Sequence, residues 1–333
     1  MSIKVIRPGL LTTIQDLGRY GFQKDGIIVS GAMDKLALRI GNLLVGNDEG
    51  KAALEVTLMG PRLQFENDAL IAMTGGNLSP VIDGEPVKMW RPVYVLKGSV
   101  LQFGVPVSGC RSYIAVSGSF AIDKVMGSTA TSLRAELGGM NGRALQANDQ
   151  IPCHQPTETG KEIMKRLKRK QTDRPFKQAF WSIHPKLLPR YEANPTIRTL
   201  QGAEFQWFTE ESQQAFFDQP FTVTPQSDRM GYRLKGRTLL FKNEKELLSS
   251  AVTFGTIQVP KEGNPIVLLA DHQTTGGYPR IGQVATVDLP ILAQIPPGKQ
   301  VAFKLISLQE AQRLLIQQEK QLDHIKLILR MKK

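Results

Sequence analysis

Apolar and polar positions along this chain alternate with the period of a β-strand far more often than with that of a helix. Val81-Ile82-Asp83-Gly84-Glu85-Pro86-Val87 reads as two short strands joined at an Asp-Gly turn, and Pro92 to Val105 alternates around Lys97-Gly98, again the grammar of a hairpin. Ile71-Ala72-Met73-Thr74-Gly75-Gly76 and Ile114-Ala115-Val116-Ser117-Gly118-Ser119 echo one another as buried strands running into glycine turns; their separation suits similar strand ends within one barrel, not a solenoid. Helical signals are few. Met33, Leu36, Ala37, Ile40 and Leu44 follow the helical period and stop at Gly46, while Ser307 and Glu310 make a capping box for a basic C-terminal helix reaching about Leu329. The core must be mostly sheet, which predicts a mainly β protein with few short helices.

The polar stretch from Pro156 to Arg174 breaks the strand pattern, and strands resume at Phe180-Trp181-Ser182-Ile183 and Thr196-Ile197-Arg198-Thr199-Leu200. At 333 residues the chain exceeds the usual size of one domain. The expected organisation is a β domain over 1–155, a basic polar linker or insertion over 156–178, a second β domain over 179–306 and the C-terminal helix over 307–333, the two β domains being barrels or sandwiches.

Charge changes this picture little. The formal net charge is +12, concentrated in Lys161, Lys165, Arg166, Lys168, Arg169, Lys170, Arg174 and Lys177, opposed by Glu162 and Asp173, and in Lys326, Arg330, Lys332 and Lys333 at the end. Neither run carries interleaved aromatics, a helix-turn-helix pattern or zinc-finger spacing, so both read as a solvated linker and tail, with docking to an acidic partner left open and no nucleic-acid role expected. Cys110 and Cys153 are too few for a disulfide framework and match no zinc spacing, which fits a reducing cytoplasm. No apolar run approaches the length needed to cross a bilayer.

Candidate chemistry gathers in two polar, glycine-bearing strings, Thr12-Thr13-Ile14-Gln15-Asp16-Leu17-Gly18-Arg19 and Asp271-His272-Gln273-Thr274-Thr275-Gly276-Gly277-Tyr278-Pro279. Gln15 offers both a donor and an acceptor to an amide edge, Asp16 accepts an N–H, and Arg19 can fork onto a carboxylate. Asp228, Arg229 and Arg233 repeat that mixture and suit a facing wall of the same cleft. Successive amides from Gln273 through Thr274, Thr275, Gly276 and Gly277 to Tyr278 suit an anion-binding nest, with Asp271 as general base. Against each stands a plainer reading: Gln15 and Asp16 satisfy turn backbone, Arg19 and Asp228 form internal pairs, and Gly-Gly-Tyr-Pro is simply a turn. His154, His184, His272 and His324 make no metal-like spacing, and neither a Gly-x-Ser-x-Gly elbow nor a Gly-x-x-x-x-Gly-Lys-Ser/Thr loop occurs.

The run Thr13 to Arg19, followed by Ser30-Gly31-Ala32-Met33-Asp34, Asn42-Leu43-Leu44-Val45-Gly46-Asn47, Leu54-Glu55, Gly127-Ser128-Thr129-Ala130-Thr131, Ser227 to Leu234, Gly255-Thr256-Ile257-Gln258-Val259-Pro260 and Asp271 to Pro279, resembles the biotin-dependent carboxyltransferase family, which includes the KipA, PxpC and allophanate hydrolase subunit 2 proteins. The likeness covers roughly residues 3 to 306. It departs at Gly118-Ser119, where relatives commonly show two glycines, and at Ala130-Thr131, where they show a Ser-Thr pair.

The resemblance implies tandem cyclophilin-like β-barrel domains and a C-type subunit of an ATP-dependent 5-oxoprolinase that opens 5-oxoproline to glutamate, active beside a KipI/PxpB-type subunit and a PxpA-type subunit. It implies catalytic roles for Asp16, Arg19 and Asp271 and adds Asp34 to the substrate-binding candidates. ATP is expected on a partner or at a subunit interface, and any biotin on another protein, since no Met-Lys-Met acceptor occurs. Two alternatives from the same resemblance are a KipA-like protein that antagonises a KipI-type inhibitor of a histidine kinase and a urea- or allophanate-type carboxyltransferase subunit.

Overall fold

The computed structural model describes residues 1–169, 175–243 and 245–331. Lys170, Asp173 and Arg174 of the expected linker, and Lys332 and Lys333 of the tail, lie outside the described residues. Two compact units are present, the first formed by Met1–Arg19, Asp34–Pro189 and Gln321–Lys333, the second by Tyr20–Met33 and Arg190–Lys320. Neither is contiguous, which departs from the expected boundaries.

In the first unit two six-stranded sheets face one core. One has the order Gln150–Pro152, Ser2–Arg7, Arg62–Phe65, Val100–Gln102, Val81–Ile82, Glu85–Pro86; the other runs Phe176–Gln178, Pro92–Val95, Ala69–Asn77, Ser108–Val116, Ala53–Thr57, Leu11–Gln15. Alternate residues of both sheets, such as Val5 and Phe65 from one and Ile71 and Ile114 from the other, fill the space between them. The Asp83-Gly84 hairpin forms as expected: Ile82 pairs with Glu85, and Asp83 (φ 48°) and Gly84 (φ 85°) supply the two left-handed residues such a turn requires. The hairpin expected around Lys97-Gly98 does not form. Pro92–Val95 pairs with Ala69–Ala72 and Phe176–Gln178, whereas Val100–Gln102 joins the opposite sheet, so the chain turns a corner between sheets. All four residues Pro92 to Val95 are buried, so alternation of polarity could not report their partner. The echoing strands prove to be antiparallel neighbours, Ile71 opposite Val116 and Met73 opposite Ile114.

Helix α1 (Lys35–Leu44) packs on those two central strands; Asp34 caps it by accepting the Ala37 N–H at 2.9 Å, and the Thr74 hydroxyl donates to Ala37 O at 2.7 Å. Met33, counted with the helix in the sequence, precedes the cap and joins the core of the second unit.

The stretch expected as a linker or insertion carries a helix and a strand of the first unit. Thr157 caps helix α2 (Glu158–Lys168), its hydroxyl accepting the Gly160 N–H and donating to Gly46 O, both at 3.0 Å. Phe176–Gln178 then adds an edge strand, with Phe176 buried opposite Val95. Phe180-Trp181-Ser182-Ile183, expected as a strand, has no regular structure, and Phe180 is 85% exposed.

The second unit is a closed seven-stranded barrel in the order Thr196–Gln201, Arg280–Val284, Thr256–Gln258, Ile266–Leu268, Gly231–Lys235, Phe221–Val223, Gln300–Leu305. A parallel pairing of Thr196–Thr199 with Ala302–Leu305 closes it. Helix α3 (Glu210–Asp218) drives Phe216 into the core, where its ring stacks on Phe303 at 4.7 Å, and the short α4 (Leu289–Leu292) buries Leu292. Helix α5 (Leu308–Met331) begins at the foreseen cap, Glu310 N donating to Ser307 Oγ at 3.1 Å. The protein is thus mainly β, and among the described residues no helix is long and apolar enough to cross a membrane.

Candidate functional site

The residues singled out in the sequence fall into two groups, each within one unit. Gln15, Asp16, Arg19 and Asp34 belong to the first; Asp228, Arg229, Arg233, Asp271 and the string to Tyr278 belong to the second.

In the first group the strand Leu11–Gln15 delivers the chain into a turn that Asp16 organises. Asp16 Oδ1 accepts from Gly18 N (2.8 Å) and Ser128 Oγ (2.7 Å), and Oδ2 from Thr129 N (2.7 Å) and Thr129 Oγ1 (3.0 Å). Four donors occupy the carboxylate, which fastens its own turn to the distant Ser128-Thr129 loop. Arg19 is fully buried and points into the same loop, Nε donating to Val125 O (3.0 Å) and Nη2 to Ala130 O (2.8 Å). Its guanidinium holds backbone carbonyls rather than standing open to a ligand carboxylate. Gln15 Nε2 donates to Thr13 Oγ1 (3.0 Å) and Thr131 O (3.1 Å), leaving its buried Oε1 without a partner among the described residues. The acceptor that an amide edge needs is therefore present, enclosed beside the loop. Asp34 is the α1 cap, and its N–H donates at 2.7 Å to Tyr113 Oη, which donates in turn to Glu55. Burial, with the Glu55 and Asp34 carboxylates close by, pushes the Tyr113 phenol well above its ordinary value.

A cavity of about 240 Å³ opens beside this turn, and its lining includes Asp16, Gly18, Lys51, Ser119, Lys124, Thr129 and His154. Lys51 and Lys124 escaped the sequence reading, and His154 was weighed there only as a metal ligand, because the three come from separate loops and belong to no dense motif. The Gly118-Ser119 departure was the available signal. Gly118 adopts φ 85° where a Cβ would lie 2.2 Å from Gln155 O, and Ser119 follows at φ 66° in the cavity wall. A larger hollow of about 400 Å³ among α1, α2 and the end of α5 contains none of the predicted site residues.

In the second group Arg229 and Asp271 form a buried, two-pronged ion pair, Nε to Oδ2 at 2.8 Å and Nη2 to Oδ1 at 3.0 Å. Asp271 Oδ1 also accepts from Ser30 Oγ at 2.6 Å, and Arg229 Nη2 donates to Gly31 O at 2.6 Å. The pair thus clamps the Ser30-Gly31 turn, where Ser30 sits at φ 58°. This geometry gives Asp271 a holding role, since both oxygens already accept. Asp228 makes a local turn, accepting from Met230 N (2.8 Å) and Gly231 N (3.2 Å), and not the internal ion pair of its plainer reading. Arg233 is exposed on the barrel strand.

The expected anion nest does not form. Thr275–Gly276 is a short strand paired with Ser250–Ala251, and neither Gly276 nor Gly277 takes the left-handed conformation that turns successive amides inward. A Cβ on Gly276 would sit 2.4 Å from Gln258 Nε2, so its glycine serves close packing. Gln273 O lies 2.5 Å from His272 Nδ1, Thr274 O accepts the Val252 N–H at 3.1 Å, and Tyr278 is 49% exposed. Next to this string, and missed in the sequence, Arg280 grips Glu204 with Nε at 2.7 Å and Nη2 at 2.6 Å.

A family described as "Carboxyltransferase domain, subdomain A and B" matches residues 25–305. The chain is 40% identical to the C subunit of the 5-oxoprolinase of Haemophilus influenzae, over 95% of each protein. It is 39% identical to the corresponding 5-oxoprolinase C subunit of Escherichia coli, over 97% of each. Among solved structures, the urea carboxylase of Kluyveromyces lactis superposes on 97% of this chain with a TM-score of 0.86 at 28% identity, and this chain spans 29% of that larger protein.

Proposed function

The chain belongs to the carboxyltransferase domain family, subdomains A and B, and we propose that it serves as the C subunit of an ATP-dependent 5-oxoprolinase, an amide hydrolase that opens 5-oxoproline to glutamate. The observation that carries this reading is the 40% identity to a 5-oxoprolinase C subunit over 95% of both proteins. In this reading the chain acts within a multi-subunit complex, beside a KipI/PxpB-type and a PxpA-type subunit. Its two cysteines, Cys110 and Cys153, are buried and form no disulfide, which agrees with a cytoplasmic setting.

Hydrolysis adds one water across the lactam C–N bond and yields a free amine and a second carboxylate. The chain's contribution is to hold and orient. Asp16 and Arg19 fix the turn and the Val125–Ala130 loop around a basic cavity, while Asp271 and Arg229 fix the Ser30-Gly31 turn. In this reading ATP is bound by a partner or at a subunit interface.

The test is reconstitution: the purified chain is combined with A-type and B-type subunits, 5-oxoproline and ATP, and glutamate is measured with the chain present or omitted. Glutamate that depends on the chain is the expected result. Equal glutamate without it removes the proposal.

A further inference from the structure

The cavity beside the Asp16 turn is basic in a way the rest of the motif is not. Its lining includes two lysines and one histidine against a single acid, Asp16. Asp16 already accepts four hydrogen bonds, so both its oxygens are taken up by donors other than the bases. Among the described residues, no carboxylate pairs with Lys51, Lys124 or His154. The hydroxyls of the wall are also spent: Thr129 Oγ1 donates to Asp16 and Ser119 Oγ to Ala52 O at 3.1 Å. The walls are thereby fixed, and the donors left to meet a ligand are two ammonium groups and an imidazole N–H.

Isolated surface lysines are normally just solvated. Here they stand on separate loops around one concavity, where low-dielectric walls concentrate the field of like charges and favour a counter-ion. We propose that this cavity is an oxyanion-binding subsite in which Lys51, Lys124 and His154 hold a small carboxylate or phosphate. Carboxylate and phosphate present the same recognition chemistry, two or more oxygens that accept from ammonium and imidazole donors. The proposal rests on the 5-oxoprolinase reading only for the identity of the carboxylate, which would be that of 5-oxoproline; a phosphate would come from the nucleotide.

The experiment is calorimetric titration of the full chain with three probes: 5-oxoproline, the uncharged lactam 2-pyrrolidinone, and inorganic phosphate. It is repeated on Lys51→Met, Lys124→Met and the double variant. Both lysines are exposed, and unchanged urea midpoints confirm that the variants fold. The expected result is that 5-oxoproline binds at least tenfold more tightly than 2-pyrrolidinone, and that the double variant loses at least tenfold in affinity. Lysine-dependent binding of phosphate without 5-oxoproline keeps the subsite and makes phosphate its ligand. If neither anion binds the chain, or if the double variant binds as the native chain does, the subsite is overturned. Glutamate formation in the reconstituted complex judges the functional reading separately, because omitting the whole chain does not depend on this cavity.

Discussion

Arg229 and Asp271 meet side-on in the interior of the second unit, two parallel N–H···O contacts of 2.8 and 3.0 Å joining residues that the chain separates by a barrel hairpin and more. Such a pair contributes little net stability relative to an apolar replacement, but breaking one side of it strands a charge in a poorly solvated place. Asp271→Asn is therefore expected to destabilise the fold by about 3–5 kcal/mol, read from urea unfolding. It also weakens the hold on Ser30-Gly31. Asp271→Asn combined with Arg229→Leu should recover part of the loss, because no unpaired guanidinium remains. A variant Asp271→Asn that keeps native stability yet loses all turnover in the complex would contradict this holding role and return Asp271 to the place of a base.

The boundary between what the chain disclosed and what it hid follows sequence distance. The Asp83-Gly84 turn and α1 were legible because their determinants are local: two residues that tolerate positive φ, and an Asp placed three residues before the N–H it caps. The corner at Lys97-Gly98 was not, because alternation identifies a strand and says nothing about which sheet receives it. Helix α2 was masked by its own charges. Its apolar positions Ile163, Met164 and Leu167 are few, and Leu167 alone among them is buried. Closure of the barrel in the second unit depends on Thr196–Thr199 finding Ala302–Leu305 across about a third of the chain, which no local pattern encodes. At the candidate site the sequence singled out Asp16 and Arg19 as catalytic candidates, and their partners lie in a loop over a hundred residues away. Whether a polar side chain faces a ligand or a remote backbone is decided by that loop.

Acid should act on the second unit through Glu204. Burial raises its carboxyl, but the Arg280 side chain and the Arg280 backbone N–H at 3.0 Å outweigh that effect and hold it below the usual carboxylate value of 4.5. A folded-state pKa below the unfolded one means the pair's contribution is fully present above the ordinary carboxylate range and is lost as pH falls through the lower folded value. Glu204→Gln is accordingly expected to cost about 2 kcal/mol at neutral pH, the typical loss for charge-assisted hydrogen bonds. The gap between native and variant urea midpoints should narrow as pH drops from about 5 to 3. A gap that stays constant over that window would show that the ion pair does not titrate with folding.

Ser119 sets two local effects against each other. It occupies φ 66°, a left-handed conformation that costs a side-chain-bearing residue about 1 kcal/mol, and its hydroxyl donates to Ala52 O at 3.1 Å, tying the Gly118-Ser119 turn to the wall that carries Lys51. Ser119→Ala keeps the strain and loses the hydrogen bond, so it should destabilise by about 1 kcal/mol. Ser119→Gly loses the same bond and relieves the strain, but adds unfolded-chain entropy of about 0.4–1 kcal/mol, which returns most of that relief. The two variants are therefore expected to fall within about 1 kcal/mol of each other, both below the native chain in urea unfolding. A Ser119→Gly protein more stable than the native one would mean that the bond to Ala52 holds less than the strain it compensates. The serine would then have to be explained by the cavity it lines rather than by the fold.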